Sequence, residues 1–336
     1  SAFLEILHSP EIASKRWVWE QYDHMIFLGT IEGPGGDAAV IRLTAADQDV
    51  AVAISVDGPG RYCQLDPYEG ARLAVAEAAR NVACSGGRPL AITNCLNFGN
   101  PEKPEVMWQF SEAVRGIGDA ALALSTPVTG GNVSFYNETN GRPIYPTPVI
   151  GMLGVLHSAE QAVGMRFRET GDVIILAGET DENDFGGSDY AKTILGVVAG
   201  RPPRLDLDKE RKLLAFLYEA AGADLLASAH DASGGGLGIA LAESAIAGGI
   251  GFKIDLADGE PHRILFSESP SRAIISCRPE KEAEVIASLG RHGVATSRLG
   301  IVGGALLDFE AFEVPLADAA KEWEETLARI LSASAG

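Results

Sequence analysis

The sequence predicts an α/β protein built from two domains. The chain has 336 residues, 46% of them hydrophobic and 22% charged, which is enough to bury more than one core. Segments with the patterns of strands and of helices alternate along it, and the alternation restarts near residue 157. We therefore predict an N-terminal domain at 1–157 and a C-terminal domain at 158–336. No low-complexity linker separates them, so the two domains are expected to pack tightly.

The first domain opens with two apolar, β-branched segments at 38–43 and 50–56, which are bounded by turn residues and predict strands. A helix is predicted over 67–84, because Asp66 can cap it, proline occupies its first position and small apolar residues line one face. The other predicted helices are 105–124, 209–221, 237–247 and 280–291, and the other predicted strands are 149–156, 171–178, 271–276 and 297–302.

The charge of the chain bears on its partners. It has 46 acidic and 27 basic residues, a formal net charge of −19, without a cluster of lysine and arginine. Nucleic acid and anionic membranes are therefore not expected as partners. A phosphate group must be held by backbone amides, helix N-termini or Mg²⁺ rather than by a basic surface.

Cysteine usage and the first residues bear on location. Four cysteines are scattered along the chain without a CxxC pair, which indicates buried, reduced thiols rather than a disulfide or a zinc site. The N-terminal segment has the features of neither a signal peptide nor a membrane span, so we expect a cytoplasmic protein. Because the chain opens on Ser1, we also expect a processed chain or a piece of a longer one.

The segment 129–134, Thr-Gly-Gly-Asn-Val-Ser, carries the most chemistry. Glycine lets backbone N–H groups approach an anion, the carbonyl of Asn132 can ligate a hard cation, and the hydroxyl of Ser134 can meet a phosphate or a substrate oxygen. The alternative is a tight turn that ends a strand. A second polar, turn-rich stretch at 93–101 follows the apolar residues 89–92, so the first motif does not stand alone.

Three other groups have two interpretations each. His230 and Asp231 form either a base or metal pair, or a turn that caps the following helix, which we favour. The Gly-Pro-Gly-Gly-Asp segment at 33–37 is either a phosphate cradle whose aspartate binds Mg²⁺ or a turn that leads into a strand. Glu268 faces either a nucleotide or Arg272, and we favour the local ion pair.

Together these motifs resemble the second half of the small-type phosphoribosylformylglycinamidine synthase subunit, PurL, in the aminoimidazole ribonucleotide synthase-like superfamily. The resemblance runs from about residue 12 to the C-terminus. The segments that carry it, in the order found in the family, are 57–62, 93–101, 129–136, 186–190, 229–237 and 265–272.

The resemblance implies a fold and a reaction. Each half of the family subunit has an N-terminal α/β domain, whose mixed sheet forms a pseudo-dimer interface, and a C-terminal α/β sandwich domain. The subunit is an ATP-dependent ligase of purine biosynthesis, which converts formylglycinamide ribonucleotide and ammonia from glutamine into formylglycinamidine ribonucleotide, with release of ADP and phosphate.

The resemblance also implies residue roles. ATP contacts fall on Asn94 and Gly131, the Mg²⁺ contact falls on Asn132, and the substrate contact falls on Ser134. The family commonly has aspartate where this chain has Asn94, so the position can still accept a hydrogen bond but lacks the carboxylate charge.

Alignment with the first half of the family subunit places the metal carboxylate of the family motif Glu-Thr-His-Asn-His-Pro on Asp57 and its catalytic histidine on Pro59. A proline cannot carry a proton, so no catalytic residue is expected in this chain. Asp57 and Asp231 are predicted to mark a pseudo-site for Mg²⁺, although the acidic residue usual near Gly234 is absent.

The implied partners are the N-terminal half of the subunit, the glutaminase PurQ and the small subunit PurS. The chain alone is expected to be inactive and to dimerise through the surface that the absent half would cover. Two alternatives stay open: a self-sufficient homodimeric ATP-binding enzyme of the kinase type, against which Pro59 argues, and a structural module that holds a nucleotide.

Overall fold

A computed structural model describes residues 1–43, 49–256 and 259–334. The described chain forms two α/β domains, as predicted, each with its own sheet. The helices within residues 1–157 are α1 Ala2–Leu7, α2 Arg16–Trp19, α3 Gly60–Leu65, α4 Pro67–Cys84 and α5 Pro104–Leu124. Of the helices in the described part of the chain, none combines the length and hydropathy that a bilayer crossing requires.

The first sheet is built from β1 Thr30–Glu32, β2 Ala39–Arg42, β3 Ala51–Asp57, β4 Arg88–Asn97, β5 Val128–Ser134 and β8 Thr147–Leu156, and the hairpin of β6 Glu138–Thr139 and β7 Arg142–Pro143 lies outside it. The spatial order is β1-β2-β3-β8-β4-β5, so β5 is an edge strand. Neighbouring strands are antiparallel except β4 and β5, which run parallel. A parallel pair needs a crossover connection, which α5 supplies here.

Helix α4 is the centre of the first domain, and its predicted bounds are confirmed. The Asp66 carboxylate caps it by accepting hydrogen bonds from the backbone N–H groups of Tyr68 and Glu69, at 3.1 and 3.0 Å. Six of its thirteen buried residues are alanines, whose small side chains allow close approach of other elements on several sides. The helix therefore packs against β3, β8, α5 and the second domain at once.

The sheet has one covered face and one open face. Ser55 on β3 points to the covered face, where its hydroxyl donates a hydrogen bond to the Ala78 carbonyl of α4, 2.7 Å away. Side chains alternate along a strand, so the residues on either side of Ser55 point the other way. On that open face Ile54, Val56 and Leu153 are exposed, Val56 to 69%. Apolar side chains thus line a surface that helix α4 does not cover.

The second sheet consists of β9 Val173–Ala177, β10 Ser228–Asp231, β11 Phe252–Ile254, β12 Ala273–Cys277, β13 Thr296–Val302, β14 Leu306–Asp308 and β15 Glu313–Pro315, in the order β10-β12-β9-β13-β11-β14-β15. The accompanying helices are α6 Asp189–Thr193, α7 Leu207–Gly222, α8 Gly236–Gly248, α9 Pro261–Phe266, α10 Glu282–His292 and α11 Leu316–Ser334. The helices and strands predicted for this domain are confirmed within a few residues. Strands β10, β11, β14 and β15 and helices α6, α9 and α11 were not predicted; except for α11, these elements are too short to show a period.

Helix α1 packs with the C-terminal domain although it lies at the start of the chain. The ring of Phe3 lies 5.1 Å from that of Phe309 and 5.7 Å from that of Phe312. Ile6 and Leu7 are fully buried in the same cluster. The predicted division at residue 157 therefore separates the two sheets, while the first helix joins the far domain.

Arg80 on α4 ties the domains together through buried charges. Its guanidinium donates to Glu210 Oε2 on α7 at 2.7 Å and also to Asp231 on β10. The three residues are 2%, 0% and 3% exposed, respectively. Ser271 supplies a further hydrogen bond to Glu210, at 2.6 Å. A buried guanidinium between two carboxylates is stabilised only while all its partners are present.

We expect Arg80→Met to destabilise the protein by about 3–5 kcal/mol, because Glu210 and Asp231 would remain buried without a counter-charge. Urea unfolding followed by circular dichroism measures the change. Arg211→Met is the matched control, since Arg211 pairs with Asp208 on the surface of α7 and such pairs contribute about 0–1 kcal/mol. Equal unfolding midpoints for the two variants would contradict the role given to Arg80.

Candidate functional site

The Thr-Gly-Gly-Asn-Val-Ser segment is part of edge strand β5 and not a loop. Residues from Gly130 to Ser134 pair in parallel with β4, and neither glycine has a positive φ. The stretch predicted as turn-rich after residue 92 also continues as strand, as far as Asn97. The prediction was therefore wrong for 129–134 and for 93–97, whereas 98–101 leave the strand as predicted. Hydrogen bonding between the two parallel strands outweighs the local preference of glycine and asparagine for turns.

Gly131 is required by close approach rather than by backbone conformation. It lies opposite Asn94 in the β4–β5 register. A Cβ atom added at Gly131 would lie 2.9 Å from Cγ of Asn94 and closer still to its Oδ1. The two residues predicted to contact ATP are thus neighbours, and the Asn94 amide lies directly across the backbone of Gly131.

The other two predicted residues lie on the opposite face of the sheet. Asn132 and Ser134 alternate with Gly131 along β5, so they point to the open face. Asn132 pairs in register with Cys95, with Nδ2 3.7 Å from Sγ, and Ser134 pairs with Asn97. The structure therefore brings the four predicted residues together on two paired strands, Asn94 on β4 and the other three on edge strand β5, but divides them between the two faces of the sheet.

Two asparagines that the sequence reasoning did not select hold this strand end in place. Asn97 donates to the carbonyls of Cys95 and Thr147, at 3.0 and 3.1 Å. Asn137 donates to the carbonyls of Phe98 and Ser134, both at 2.9 Å. Their amides replace backbone partners where the strand ends. The signal that could have found them is their position, within or just after the two polar stretches.

Asp57 lies apart from the residues on β4 and β5, in a cleft of about 600 Å³ between the two domains. Burial raises the pKa of Asp57 to about 7, and the nearby Asp231 carboxylate adds to the shift. Its Oδ2 is buried without a hydrogen-bond partner among the described residues. Pro59 lines the same cleft, and its side chain offers no proton donor or acceptor. A larger cleft, of about 1390 Å³, lies within the C-terminal domain and contains none of the predicted site residues.

The fit of a metal ion differs between the predicted positions. Asp231 is engaged by Arg80, and within residues 1–43, 49–256 and 259–334 no three His, Cys, Asp or Glu side chains are placed to share a metal. Asn132 offers one amide oxygen on an exposed strand, so an ion there needs further ligands from elsewhere. The Mg²⁺ positions at Asn132, Asp57 and Asp231 stay predictions.

His230 and Asp231 do not cap the helix that follows them, so that interpretation was wrong. Helix α8 has Gly235 at its N-cap and receives no side-chain hydrogen bond. His230 is the next-to-last residue of strand β10, and its ring lies 2.9 Å from Asp37 and 3.2 Å from Glu243. Burial opposes protonation, but these two carboxylates raise the pKa of His230 well above its ordinary value.

The carboxylate of Asp37 takes part in the same contact between the two domains. Besides the ring of His230, it accepts the backbone N–H of Asp231, at 2.9 Å. The Gly-Pro-Gly-Gly-Asp turn at 33–37 therefore directs its carboxylate into the domain interface, which favours the structural interpretation over a phosphate cradle.

Glu268 has no ion pair with Arg272, which corrects the other local prediction. It accepts hydrogen bonds from the N–H groups of Asp189 and Gly235, at 2.7 and 2.8 Å, and from the hydroxyl of Tyr62. Burial raises its pKa to about 7. Arg272 instead donates to the carbonyls of Ser267 and Ser269, both at 2.8 Å, and to Thr180. The carboxylate of Glu268 thus occupies backbone donors at the start of two helices.

Comparison with known proteins identifies two domain families. Residues 35–156 match the AIR synthase related protein, N-terminal domain, and residues 169–306 match the AIR synthase related protein, C-terminal domain. A Moorella thermoacetica protein named phosphoribosylformylglycinamidine synthase subunit PurL is 50% identical over 330 residues, which are 96% of this chain and 45% of that protein. The chain therefore spans about half the length of this relative.

Solved structures of T. maritima PurL share the fold. The form complexed with FGAR has a TM-score of 0.76 at 20% identity and covers 95% of this chain and 52% of that chain. The form complexed with ATP has a TM-score of 0.71 at 20% identity and covers 96% of this chain and 53% of that chain. The structure of PurLQS from Thermotoga maritima has a TM-score of 0.67 at 22% identity, covering 86% and 47%.

We expect Asp57→Asn to gain stability relative to the wild type as the pH rises towards 7. The native state keeps the Asp57 proton up to about pH 7, whereas the unfolded chain releases it at the ordinary pKa of 3.8. The free energy of unfolding of the wild type therefore falls as the pH rises from about 4 to about 7. The Asp57→Asn variant has no proton to release at this position, so it lacks this decrease. Urea midpoints at several pH values between 4 and 7 test this.

Asp208→Asn is the control for this series, because Asp208 is 77% exposed. If Asp57→Asn and Asp208→Asn showed the same pH dependence as the wild type, the buried state of the Asp57 carboxyl would be refuted.

Proposed function

The chain belongs to the AIR synthase related family, and we propose that it is the C-terminal half of a phosphoribosylformylglycinamidine synthase subunit of the PurL type. The observation that carries the proposal is the pairing of β4 with edge strand β5, where Asn94 of β4 lies against Gly131 and where Asn132 and Ser134 lie on the open sheet face. The identity of 50% to a PurL subunit over nearly the whole chain supports it.

The proposed reaction is the ATP-dependent conversion of formylglycinamide ribonucleotide to formylglycinamidine ribonucleotide. The amide oxygen of the substrate takes the γ-phosphoryl group of ATP, and ADP leaves. Ammonia then attacks the activated carbon, the carbon–oxygen bond breaks, and phosphate leaves. Both steps need a carefully positioned substrate, which is the contribution we assign to this chain.

In this proposal Asn94 and Gly131 contact ATP, and Ser134 contacts the ribonucleotide. Asn132 contributes an amide oxygen to a bound Mg²⁺, which neutralises phosphate charge when present. An ion is needed for this because the chain has 46 acidic and 27 basic residues. No residue of this chain is given the role of general base or acid, since Pro59 takes the position of the family histidine.

The open face of the first sheet is the surface that we assign to the N-terminal half. The exposed side chains of Ile54, Val56 and Leu153 form a contiguous apolar face there, and such surfaces on soluble proteins mark interfaces. Ser134 and Asn132 lie on the same face, so a domain docked there would enclose them. We further propose a glutaminase, PurQ, as the source of ammonia and PurS as an accessory subunit, in the cytoplasm.

We expect no formylglycinamidine ribonucleotide from the chain alone when ATP, formylglycinamide ribonucleotide and ammonia are supplied, and turnover when the N-terminal half of a PurL subunit is added. The reason is that the proton-transfer residue lies outside this chain. Product is measured by chromatography. Full activity of the chain alone would contradict the proposal, and an inactive mixture of the two folded halves would do so as well.

We expect the chain alone to dimerise at micromolar concentration through its open sheet face, because apolar surface would otherwise stay in water. Val56→Lys is expected to give a monomer, since it places a charge in the middle of that face. Trp108→Lys, at a residue 58% exposed on α5, serves as the control and should leave the dimer intact. Light scattering measures the mass, and a monomeric wild type counts against this surface.

A further inference from the structure

Tyr136 has an unusual backbone conformation two residues beyond Ser134. Its φ is 59°, in the left-handed region. A residue with a Cβ atom is sterically disfavoured there, and a bulky residue is a marked outlier. Residues held in such conformations cluster at functional sites, because the surrounding structure must impose them.

The neighbouring contacts show how this conformation is imposed. The N–H of Tyr136 donates to the Gly99 carbonyl at 2.9 Å, and the Tyr136 carbonyl accepts the N–H of Glu138 at 2.9 Å. On one side the Phe135 ring packs 5.2 Å from that of Phe110. On the other side the Asn137 amide is hydrogen-bonded to backbone carbonyls. Tyr136 is thus fixed from both sides while its own side chain takes no part.

The side chain of Tyr136 is 60% exposed. Within the part of the chain that the structure describes, no hydrogen bond or ring contact engages it. Three other tyrosines are engaged: the hydroxyl of Tyr62 donates to Glu268, that of Tyr68 donates to Asp119 at 2.7 Å, and the Tyr190 ring stacks on Phe266 at 5.7 Å. A rigid backbone therefore presents an unused aromatic ring at the end of β5.

Tyr136 is close to the candidate site, because it follows Ser134 by two residues. Two residues of extended chain span at most about 7 Å, which is within reach of a tyrosine side chain. A ligand that touches the Ser134 hydroxyl is therefore accessible to the Tyr136 ring. Tyrosine offers an apolar face together with a polar tip, a combination suited to a sugar, which has both C–H faces and hydroxyl groups.

We propose that Tyr136 is a further substrate-binding residue, whose ring packs against the ribose of the ribonucleotide held at Ser134. This inference rests on the proposed function of the site. The left-handed backbone accompanies a ring that stays exposed rather than packed in the domain core. ATP, which is assigned to Asn94 and Gly131 on the other face of the sheet, is not the partner of this ring.

The backbone conformation permits a test that separates function from structure. Tyr136→Gly removes the ring but suits a positive φ, so the urea midpoint should stay unchanged or rise. The KM for formylglycinamide ribonucleotide should rise about tenfold, the effect of one lost packing contact in a binding site. The KM for ATP should stay within about twofold of the wild type. Tyr136→Phe should keep most of the affinity, because the ring is retained.

Asn140→Gly is the matched control, since Asn140 also has a positive φ, 53°, in the nearby hairpin. It should match Tyr136→Gly in stability and the wild type in both KM values. The assays use this chain combined with the N-terminal half, over a range of concentrations of that half. An unchanged KM for the ribonucleotide in Tyr136→Gly would overturn the inference. Recovery of activity at high concentration of the N-terminal half would also overturn it, because Tyr136 would then be an interface residue.

Failure of the proposed function gives a different result. If the wild-type pair forms no product, that function is refuted, and calorimetric titration with formylglycinamide ribonucleotide then decides on Tyr136. Binding that weakens about tenfold in Tyr136→Gly supports the inference, and equal or absent binding rejects it.

Discussion

The buried guanidinium of Arg80 is the interaction on which the arrangement of the two domains depends. It lies on the central helix of the first domain, and both of its carboxylate partners, Glu210 and Asp231, belong to the second. Removing charges from water is favourable only when each finds a partner in good geometry. The pairing therefore selects one relative position of α4, α7 and β10, and the apolar core continues across the domain boundary around it.

The polar contacts near Arg80 follow from the same constraint. Asp37 contacts His230 and the backbone of Asp231 across the domain boundary. Glu268 accepts a hydrogen bond from the hydroxyl of Tyr62, which belongs to the first domain. Acidic side chains that could hold ligands in the cleft at Asp57 are thus largely used by the chain itself. Residues of both domains line this cleft, and Pro59 among them offers no proton-transfer group.

The candidate site has the opposite character, because it lies on an exposed edge strand. Neighbouring β4 fixes its backbone on one side, and the amides of Asn97 and Asn137 fix its end. The side chains predicted to bind ligands, by contrast, are divided between the two faces: Asn94 lies on one, and Asn132 and Ser134 lie on the open one. The backbone of this site is fixed but open to solvent, and in the function we propose a second surface excludes water and supplies proton transfer.

The sequence by itself determined the alternation of strands and helices, the helix at 67–84 and the motifs that place the chain in its family. These features depend on local periodicity, on helix caps and on residue types, all of which can be recognised from residues that are close together in the sequence. Only the tertiary structure decided that 129–134 is a strand and that Gly131 is there to accommodate Asn94. It also decided that Asp37, His230 and Glu268 contact other elements. The physical reason is that each of these outcomes depends on a partner distant in sequence, and parallel pairing, burial and charge compensation exist only once the distant segments have met.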